Sequence, residues 1–584
     1  MHLPQHSTRS AHLEVRWALP PRLQAKKIRG LAAELKLPLS IAQLLLQRGF
    51  EEGQSAKLFL QPRLRQLSDP FLLPDMPKAV DRLIAAIKKR ERLVIYGDYD
   101  VDGVTSLAII SRVLKDYGVQ APCFLPNRME EGYGLSADGA AHCVATYHPQ
   151  LLISVDCGTA SAKEIAQLQE SGIDVIVLDH HALKEPLPEC CALVNPKCGT
   201  DFHYLCAAAI AFKLCHALLK VFPNPKVELK HLLDLVALGT VADLAPLVGE
   251  NRIFVKAGLL QMAATHWAGL RSLMEIANSS ARTTSLKARF LGFQIGPRLN
   301  AAGRLGTARA ALDLLLTDDQ EQGQHLAKEL DNQNRSRQVI ECTTFNEAVD
   351  QLGTDFIQKP EVAIVLGNTG WHLGVLGIVA ARISKKFHRP TLIISFAEDG
   401  QGKGSGRSIC GLPLVDALAE CRDLLETFGG HDMAAGFSLR LERLPEFSNR
   451  FKQVAKGYLT PEALQPKLNI DAEISLAELE LSFLLYYEAL EPFGIDNAQP
   501  LFLCRNVHPI GQPTLLKGGQ HLRLEIAQGE TRRQAMLFDS PEFELPLPPW
   551  DIAFSISRNT FRGRSSLQIT IQAIRQAEHH RVHL

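Results

Sequence analysis

At 584 residues the chain is too long for a single hydrophobic core, and about three or four domains are expected from the usual domain size. Its 46% hydrophobic and 22% charged content is ordinary for a soluble globular protein, and Lys plus Arg balance Asp plus Glu at 63 each, so net charge argues neither for nor against a nucleic-acid partner. No apolar segment approaches the length of a membrane span, Met1–Pro20 lacks the apolar core of a signal peptide, and the 12 cysteines form no CxxC pairing of the kind that holds zinc. A cytoplasmic protein with free thiols and no membrane partner is expected.

Taken in order, Ser40 with Gln43 reads as a capping box for a helix through Leu44, Leu45 and Leu46 to Gly49. A Pro-containing stretch, Gln61 to Pro77, leads to a helical pattern from Ala79 through Ile87 that ends in Lys88-Lys89-Arg90. Everything before that helix is expected to be an extension packed on the first domain.

From Leu93 short apolar strands alternate with helical stretches: Leu93–Tyr96, Leu151–Val155 and Val175–Leu178, with intervals such as Ser106–Tyr117 and Ala160–Glu170. This alternation predicts a doubly wound parallel sheet. After the first strand comes GDYDVDG, residues 97–103. An extended backbone would place Asp98, Asp100 and Asp102 on one side, where three carboxylates repel unless a cation neutralises them or some stay protonated. Asp and Gly also make ordinary turns, and the spacing is not that of an EF-hand. The ends of the other strands add weight, with Asp156-Cys157-Gly158 after the second and Asp179-His180-His181 after the third. Ligands of open α/β sheets sit beyond the carboxyl ends of the strands. Asp243, after the apolar stretch Leu232–Leu238, is a fourth candidate, alternatively a helix cap.

Residues 252–351 are helical in pattern, and the charged stretch around Lys328–Arg337 fits a long helix linking two domains. Gly296-Pro297-Arg298-Leu299-Asn300-Ala301-Ala302-Gly303-Arg304 reads either as small residues that let backbone approach a ligand, with two arginines able to reach phosphates, or as a glycine-bounded turn with surface arginines. A second α/β unit follows, with strands Val362–Leu366 and Thr391–Ser395 and glycine-rich turns at Gly402–Ser408 and Gly429–Gly436 that suit a phosphodiester. After Pro461–Pro466 the runs Leu468–Ala472, Leu501–Cys504, His521–Ile526, Arg533–Phe538, Ile552–Ser557 and Leu567–Ile571 predict a small barrel or sandwich. Arg523, Arg532, Arg533, Phe538, Arg558, Phe561, Arg562 and Arg564 interleave there in a mixture suited to base stacking and phosphate pairing, or to packing on a neighbour.

GDYDVDGVT, SVDCG, VLDHH and TVADLAPL, in this order, resemble the DHH phosphoesterase superfamily; GPRLNAAGR, GWHLGVLGIVA, GSGRS and GGHDMAAG resemble its RecJ-type branch of bacterial single-strand-specific exonucleases. The resemblance covers almost the whole chain. It implies an α/β multidomain protein: an N-terminal extension (1–75), a doubly wound DHH catalytic domain (76–250), a helical connector with a long linking helix (251–350), a DHHA1-type substrate-binding domain (351–460) and an OB-like β-barrel (466–584). It further implies two divalent ions, Mn²⁺ or Mg²⁺, with Asp98, Asp100, Asp102, Asp156, His180 and Asp243 as ligands or close supports and Asp156 as the bridge. His181, expected to point away from His180 on an extended backbone, would face the scissile phosphate, while Arg128, Asn300, Arg304, Arg407, Ser408 and His431 would hold the strand. The activity implied is 5′→3′ hydrolysis of single-stranded DNA to 5′ mononucleotides in recombination and repair, alongside a helicase and a single-strand-binding protein. The alternatives are hydrolysis of short oligonucleotides or cyclic dinucleotides by the same site, or a non-catalytic strand-binding scaffold.

Overall fold

Continuous apolar runs such as Leu93-Val94-Ile95 and Val175-Ile176-Val177-Leu178 suit strands covered on both faces, and every residue of Leu93–Gly97 and Leu151–Val155 is buried. In the computed structural model, which describes residues 15–127, 131–132, 134–277, 286–516, 521–538, 545–561 and 563–577, these strands form a five-stranded parallel sheet. Its order is Cys123–Phe124, Leu93–Gly97, Leu151–Val155, Asp174–Leu178, Ala192–Val194. The chain runs outward to Cys123–Phe124 and returns to the other side of Leu93–Gly97. The order therefore reverses between Leu93–Gly97 and Leu151–Val155, and crevices at such switch points receive ligands. One face of the sheet joins Leu135, Ala140, Ile165 and Leu168 in a single apolar cluster, while helices Val101–Asp116, Ala207–Val221 and Leu233–Ala242 pack together.

The chain divides into two compact units: Met1–Trp17, Arg304–Gly306 and Glu329–Leu468; and Ala18–Gly303, Thr307–Lys328 and Asn469–Leu584. The N-terminal segment departs from expectation. Its helix spans Leu39–Gln47 with Pro38 at the N-cap, and Ser40 lies buried inside the helix without making the expected box. Ile41, Leu44, Leu45, Ala56 and Phe59 share one apolar cluster with Leu476 and Phe483, which precede the C-terminal barrel, and with Phe502 and Trp550 of the barrel itself. The segment thus completes the barrel's core, and its later part, around Ser68, also reaches the first domain. There Lys213 Nζ lies 2.6 Å from Glu250 Oε2 and donates to Ser68 O, while Ser68 N donates to Glu250 Oε1.

Helix Gln320–Gln358 is the expected long linker, broken at Gly353 where φ is 69°. The unit that contains Glu329–Leu468 holds a mixed five-stranded sheet in the order Thr427–His431, Ala434–Arg440, Gln401–Arg407, Thr391–Phe396, Ile364–Asn368. Of the glycine-rich stretches expected as turns, Gly402–Arg407 is strand throughout, and Gly429–Gly436 is two strands joined by a turn at Asp432 and Met433. Alternate glycines face aromatic rings: a Cβ on Gly404 would lie 2.3 Å from the Phe437 ring, and one on Gly402 would lie 2.4 Å from Phe396.

Strand Phe502–Leu515 pairs with both Leu522–Gln528 and Trp550–Phe561, closing a five-stranded barrel through Thr531–Leu537 and Arg564–Gln576. Part of its basic surface is used internally. Arg558 forms a two-pronged ion pair with Glu488 at 2.8 Å, and Arg533 donates to Leu479 O. Arg523, Arg532 and Arg564 are exposed, Phe538 stacks edge-on with His521, and Arg562 lies outside the described residues. Among the described residues, no helix is long and apolar enough to cross a membrane.

Candidate metal centre

The backbone beyond Leu93–Gly97 is not extended, as the alternating acids had suggested; it turns directly into helix Val101–Asp116. Asp100 is the N-cap, and its Oδ1 accepts from Asp102 N at 2.9 Å and Gly103 N at 3.1 Å. A Cβ on Gly103 would lie 2.3 Å from Asp98 O, so only glycine lets the loop close this tightly. The three acids consequently fall into two groups. Asp98 and Asp100 join Asp156, and Asp102 joins His180 and Asp243, the ligand atoms of each group lying within 4.8 Å of one another.

Asp102 is buried at the start of helix Ala207–Val221, where Oδ2 accepts from Ala207 N at 2.7 Å and Oδ1 from Ala208 N at 2.9 Å. Asp156 follows the central strand with φ at 60°, a left-handed conformation that costs a non-glycine residue about 1 kcal/mol or more. The turn throws its carboxylate toward His180, whose Nε2 lies 3.1 Å from Asp156 Oδ1, 3.8 Å from Asp102 Oδ2 and 3.9 Å from Asp243 Oδ2.

His181 does not diverge from His180. The ring centroids are 4.6 Å apart, and His181 joins Asp156 and His180 in a third group within 4.8 Å. The cause is Asp179, whose Oδ1 accepts from both His180 N and His181 N and so folds the backbone into a tight turn. The same oxygen lies 2.7 Å from His181 Nδ1, which leaves Nε2 as the nitrogen offered to the cluster.

Electrostatics separate the two imidazoles. Burial, then the neighbouring His181, pull His180 down to about 3, so it is neutral and its nitrogen lone pair can serve a cation. Burial also opposes charge on His181, but the hydrogen bond and charge of Asp179 outweigh it and raise His181 to about 9. Asp179, disfavoured by burial, is held well below the usual carboxylate range chiefly by His181.

Burial followed by repulsion from Asp100 raises Asp102 to about 7 and Asp156 well above its usual value; burial followed by repulsion from Asp102 raises Asp243 to about 8. Carboxylates crowded in this way ionise together only when cations neutralise them. Oxygen donors with one neutral imidazole fit hard divalent ions such as Mn²⁺ or Mg²⁺ better than zinc.

Sequence reasoning missed a supporting layer. Thr159 N donates to Asp179 Oδ2, Asn195 Nδ2 donates to Thr159 Oγ1 and to His181 O, and Lys197 Nζ donates to His180 O at 2.5 Å. Asn195 follows strand Ala192–Val194, so the strand-end rule that located the acids would have found it had that short strand been recognised.

The expected strand contacts fare unevenly. Arg128 lies outside the described residues. GPRLNAAGR is not a loop but helix Gly296–Leu305, and Asn300 Oδ1 accepts from Val101 N at 3.1 Å in the acidic loop. In the other unit, Arg304 Nη1 lies 3.4 Å from Gly374 O, and Arg407 Nη1 donates to Gly406 O. Ser408 is turned inward: it is buried and its hydroxyl donates to Leu412 O at 2.6 Å, which commits it to the turn rather than to a strand. His431 is exposed and lines an open cavity of about 410 Å³ with Val415, Asp416, Gly430, Asp432 and Met433.

Residues 92–240 match the DHH family N-terminal domain, 360–457 the DHHA1 domain and 470–573 the RecJ OB domain. The chain is 34% identical to the single-stranded-DNA-specific exonuclease RecJ of Bacillus subtilis over 96% of this chain and 70% of that protein. The chain belongs to the RecJ family. The Escherichia coli RecJ is 35% identical over 92% of this chain and 96% of its own. The Thermus thermophilus RecJ crystallised with Mn²⁺ superposes with a TM-score of 0.83 at 32% identity, covering 97% of this chain and 80% of that one; the same RecJ with Mg²⁺ superposes at 0.75 and 30% identity, covering 97% and 79%.

Proposed function

We propose that this RecJ-family protein is a metal-dependent exonuclease that hydrolyses single-stranded DNA from its 5′ end to 5′ mononucleotides. The observation that carries this reading is the convergence of Asp98, Asp100, Asp102, Asp156, His180 and Asp243 beyond the strand ends, in groups whose ligand atoms lie within 4.8 Å. Relatives named as single-stranded-DNA-specific exonucleases, and RecJ structures holding Mn²⁺ or Mg²⁺, support it.

Asp98, Asp100 and Asp156 would hold one divalent ion, and Asp102, Asp156, His180 and Asp243 the other, with Asp156 shared. When bound, the ions supply positive charge that favours deprotonation of a water and offsets charge on the leaving 3′ oxygen. The chain's own residues do the rest. Neutral His180 adds a nitrogen donor without adding charge. His181, held protonated by Asp179, presents an Nε2–H to a phosphate oxygen and stabilises the charge that develops there. Arg304, Arg407 and His431 hold the strand, and Arg128 belongs with them through its motif.

DNA recombination and repair, in the cytoplasm, are the setting such an activity serves. A helicase and a single-strand-binding protein are its natural partners, since a duplex must be opened before a single-strand nuclease can act on it.

The test is a nuclease assay on 5′- and 3′-labelled strands with Mn²⁺ or Mg²⁺. Immediate release of labelled mononucleotide from the 5′ end, with blunt duplex left intact, is expected. Equal digestion of duplex, or cleavage confined to strands of a few nucleotides, would overturn the reading.

A further inference from the structure

The first backbone N–H groups of a helix have no partner inside it. At the start of Val101–Asp116, Asp100 Oδ1 takes the N–H groups of Asp102 and Gly103, and Val104 N donates to Asp100 O. The N–H of Val101, placed between two of the metal-site acids, goes instead to Asn300 Oδ1 at 3.1 Å, 199 residues along the chain.

The helix carrying Asn300 is firmly seated. Leu299, Ala301 and Ala302 are buried, and a Cβ on Gly303 would lie 2.9 Å from Tyr99 O, so the helix backbone rests directly against the loop between Asp98 and Asp100. Gly303 therefore serves a close approach to protein backbone, where the sequence had suggested approach to a ligand.

We propose that Asn300 is a positioning residue for the metal site: it fixes the Val101 peptide, and with it the directions of the Asp100 and Asp102 carboxylates, and it does not contact the DNA strand. This inference rests on reading the acidic cluster as a divalent-metal site. Groups that orient metal ligands typically change metal affinity about 10–100-fold when removed.

The oxygen and nitrogen ends of the Asn300 amide make the test discriminating. Positioning uses the oxygen as an acceptor, which aspartate retains. Strand binding would use the Nδ2 donors, which aspartate replaces with a charge that repels phosphate.

Mn²⁺ binding by the intact protein would be measured by electron paramagnetic resonance titration, and binding of a fluorescent oligothymidylate separately in EDTA. Asn300→Ala is expected to weaken Mn²⁺ binding about tenfold and to leave metal-free strand binding unchanged; Asn300→Asp is expected to restore Mn²⁺ affinity. Gly303→Ala, which forces the helix off Tyr99, should weaken Mn²⁺ binding without touching Asn300 itself. Strand affinity that falls in Asn300→Ala and falls further in Asn300→Asp, with Mn²⁺ binding unchanged, would overturn the proposal. A wild-type protein that binds no Mn²⁺ would overturn the metal-site reading and this inference with it, whereas wild-type Mn²⁺ binding without nuclease activity would count against the proposed function alone.

Discussion

Asp179 Oδ1 lies 2.7 Å from His181 Nδ1, and that one contact decides both which nitrogen of His181 meets the cluster and what charge it carries. Within the VLDHH motif the two histidines reach the cluster, but the buried carboxylate of Asp179 organises the whole turn.

Replacing Asp179 by Asn removes the charge that keeps His181 protonated and lets the ring take the other tautomer. Turnover of single-stranded DNA should fall on the order of 10²-fold, within the range for loss of a positioned acid–base group. Strand affinity measured in EDTA should stay within about twofold, since Asp179 is buried and meets no strand. Single-turnover kinetics beside a binding isotherm would separate the two, and a loss confined to affinity would refute the assigned role.

Asp156 stands where repulsion among the carboxylates is greatest, so its removal should separate stability from function. Asp156→Asn keeps the left-handed backbone, which asparagine tolerates, and removes a buried charge. Without metal the variant should be more stable than wild type by on the order of 1 kcal/mol, the scale of one pKa unit. Added Mn²⁺ should raise the melting temperature of wild type and barely move that of the variant, and cleavage should be abolished. Thermal melts with EDTA and with Mn²⁺ check all of this; a variant that is destabilised and still responds to Mn²⁺ would show that Asp156 is not the shared ligand.

The acids at the strand ends were legible because each comes directly after a short apolar run, and a parallel sheet aligns such ends on one edge. The manner of their convergence was not. Alternation suggested one pleated face, whereas Asp100 caps a helix and divides the acids between two groups. Gly402 and Gly404 read as turns because glycine is depleted in strands; the rings of Phe396 and Phe437 fill the space of the missing side chains, and that of Phe437 comes from a strand 33 residues beyond Gly404. The docking of Ile41, Leu44 and Leu45 onto a barrel more than 400 residues away left no local trace, since a helix stripe shows that it must be buried but not by what.

That long-range docking is held by Arg252. Its buried guanidinium stacks on Phe59 at 3.8 Å and donates to the carbonyls of Phe59, Ala489, Leu490, Glu491 and Pro492, which ties the N-terminal segment and the end of helix Leu481–Glu488 to helix Gly249–Met262. Arg252→Met should keep the packing volume and strand several buried carbonyls, lowering stability by about 3 kcal/mol. Urea unfolding followed by tryptophan emission measures this, and Trp550 in the barrel should report the loss. Cleavage at low temperature should remain near wild type, because Arg252 is not among the metal-site residues.

Acid sensitivity away from the metal site is expected at His231, whose ring lies 3.9 Å from that of His266. Burial, then the neighbouring His266, lower its pKa from 6.5, while Glu228 opposes the shift. The sign is set by which state holds more protons. A histidine with a lowered folded value binds fewer protons folded than unfolded, so its contribution is fully present above about pH 6.5 and is lost as pH falls from there through the lower folded value. His231→Gln should therefore flatten the decline in unfolding free energy between about pH 7.5 and about pH 5.5 relative to wild type. Urea titrations of both proteins at a series of pH values would show the difference, and parallel pH profiles would rule out a contribution from the pair.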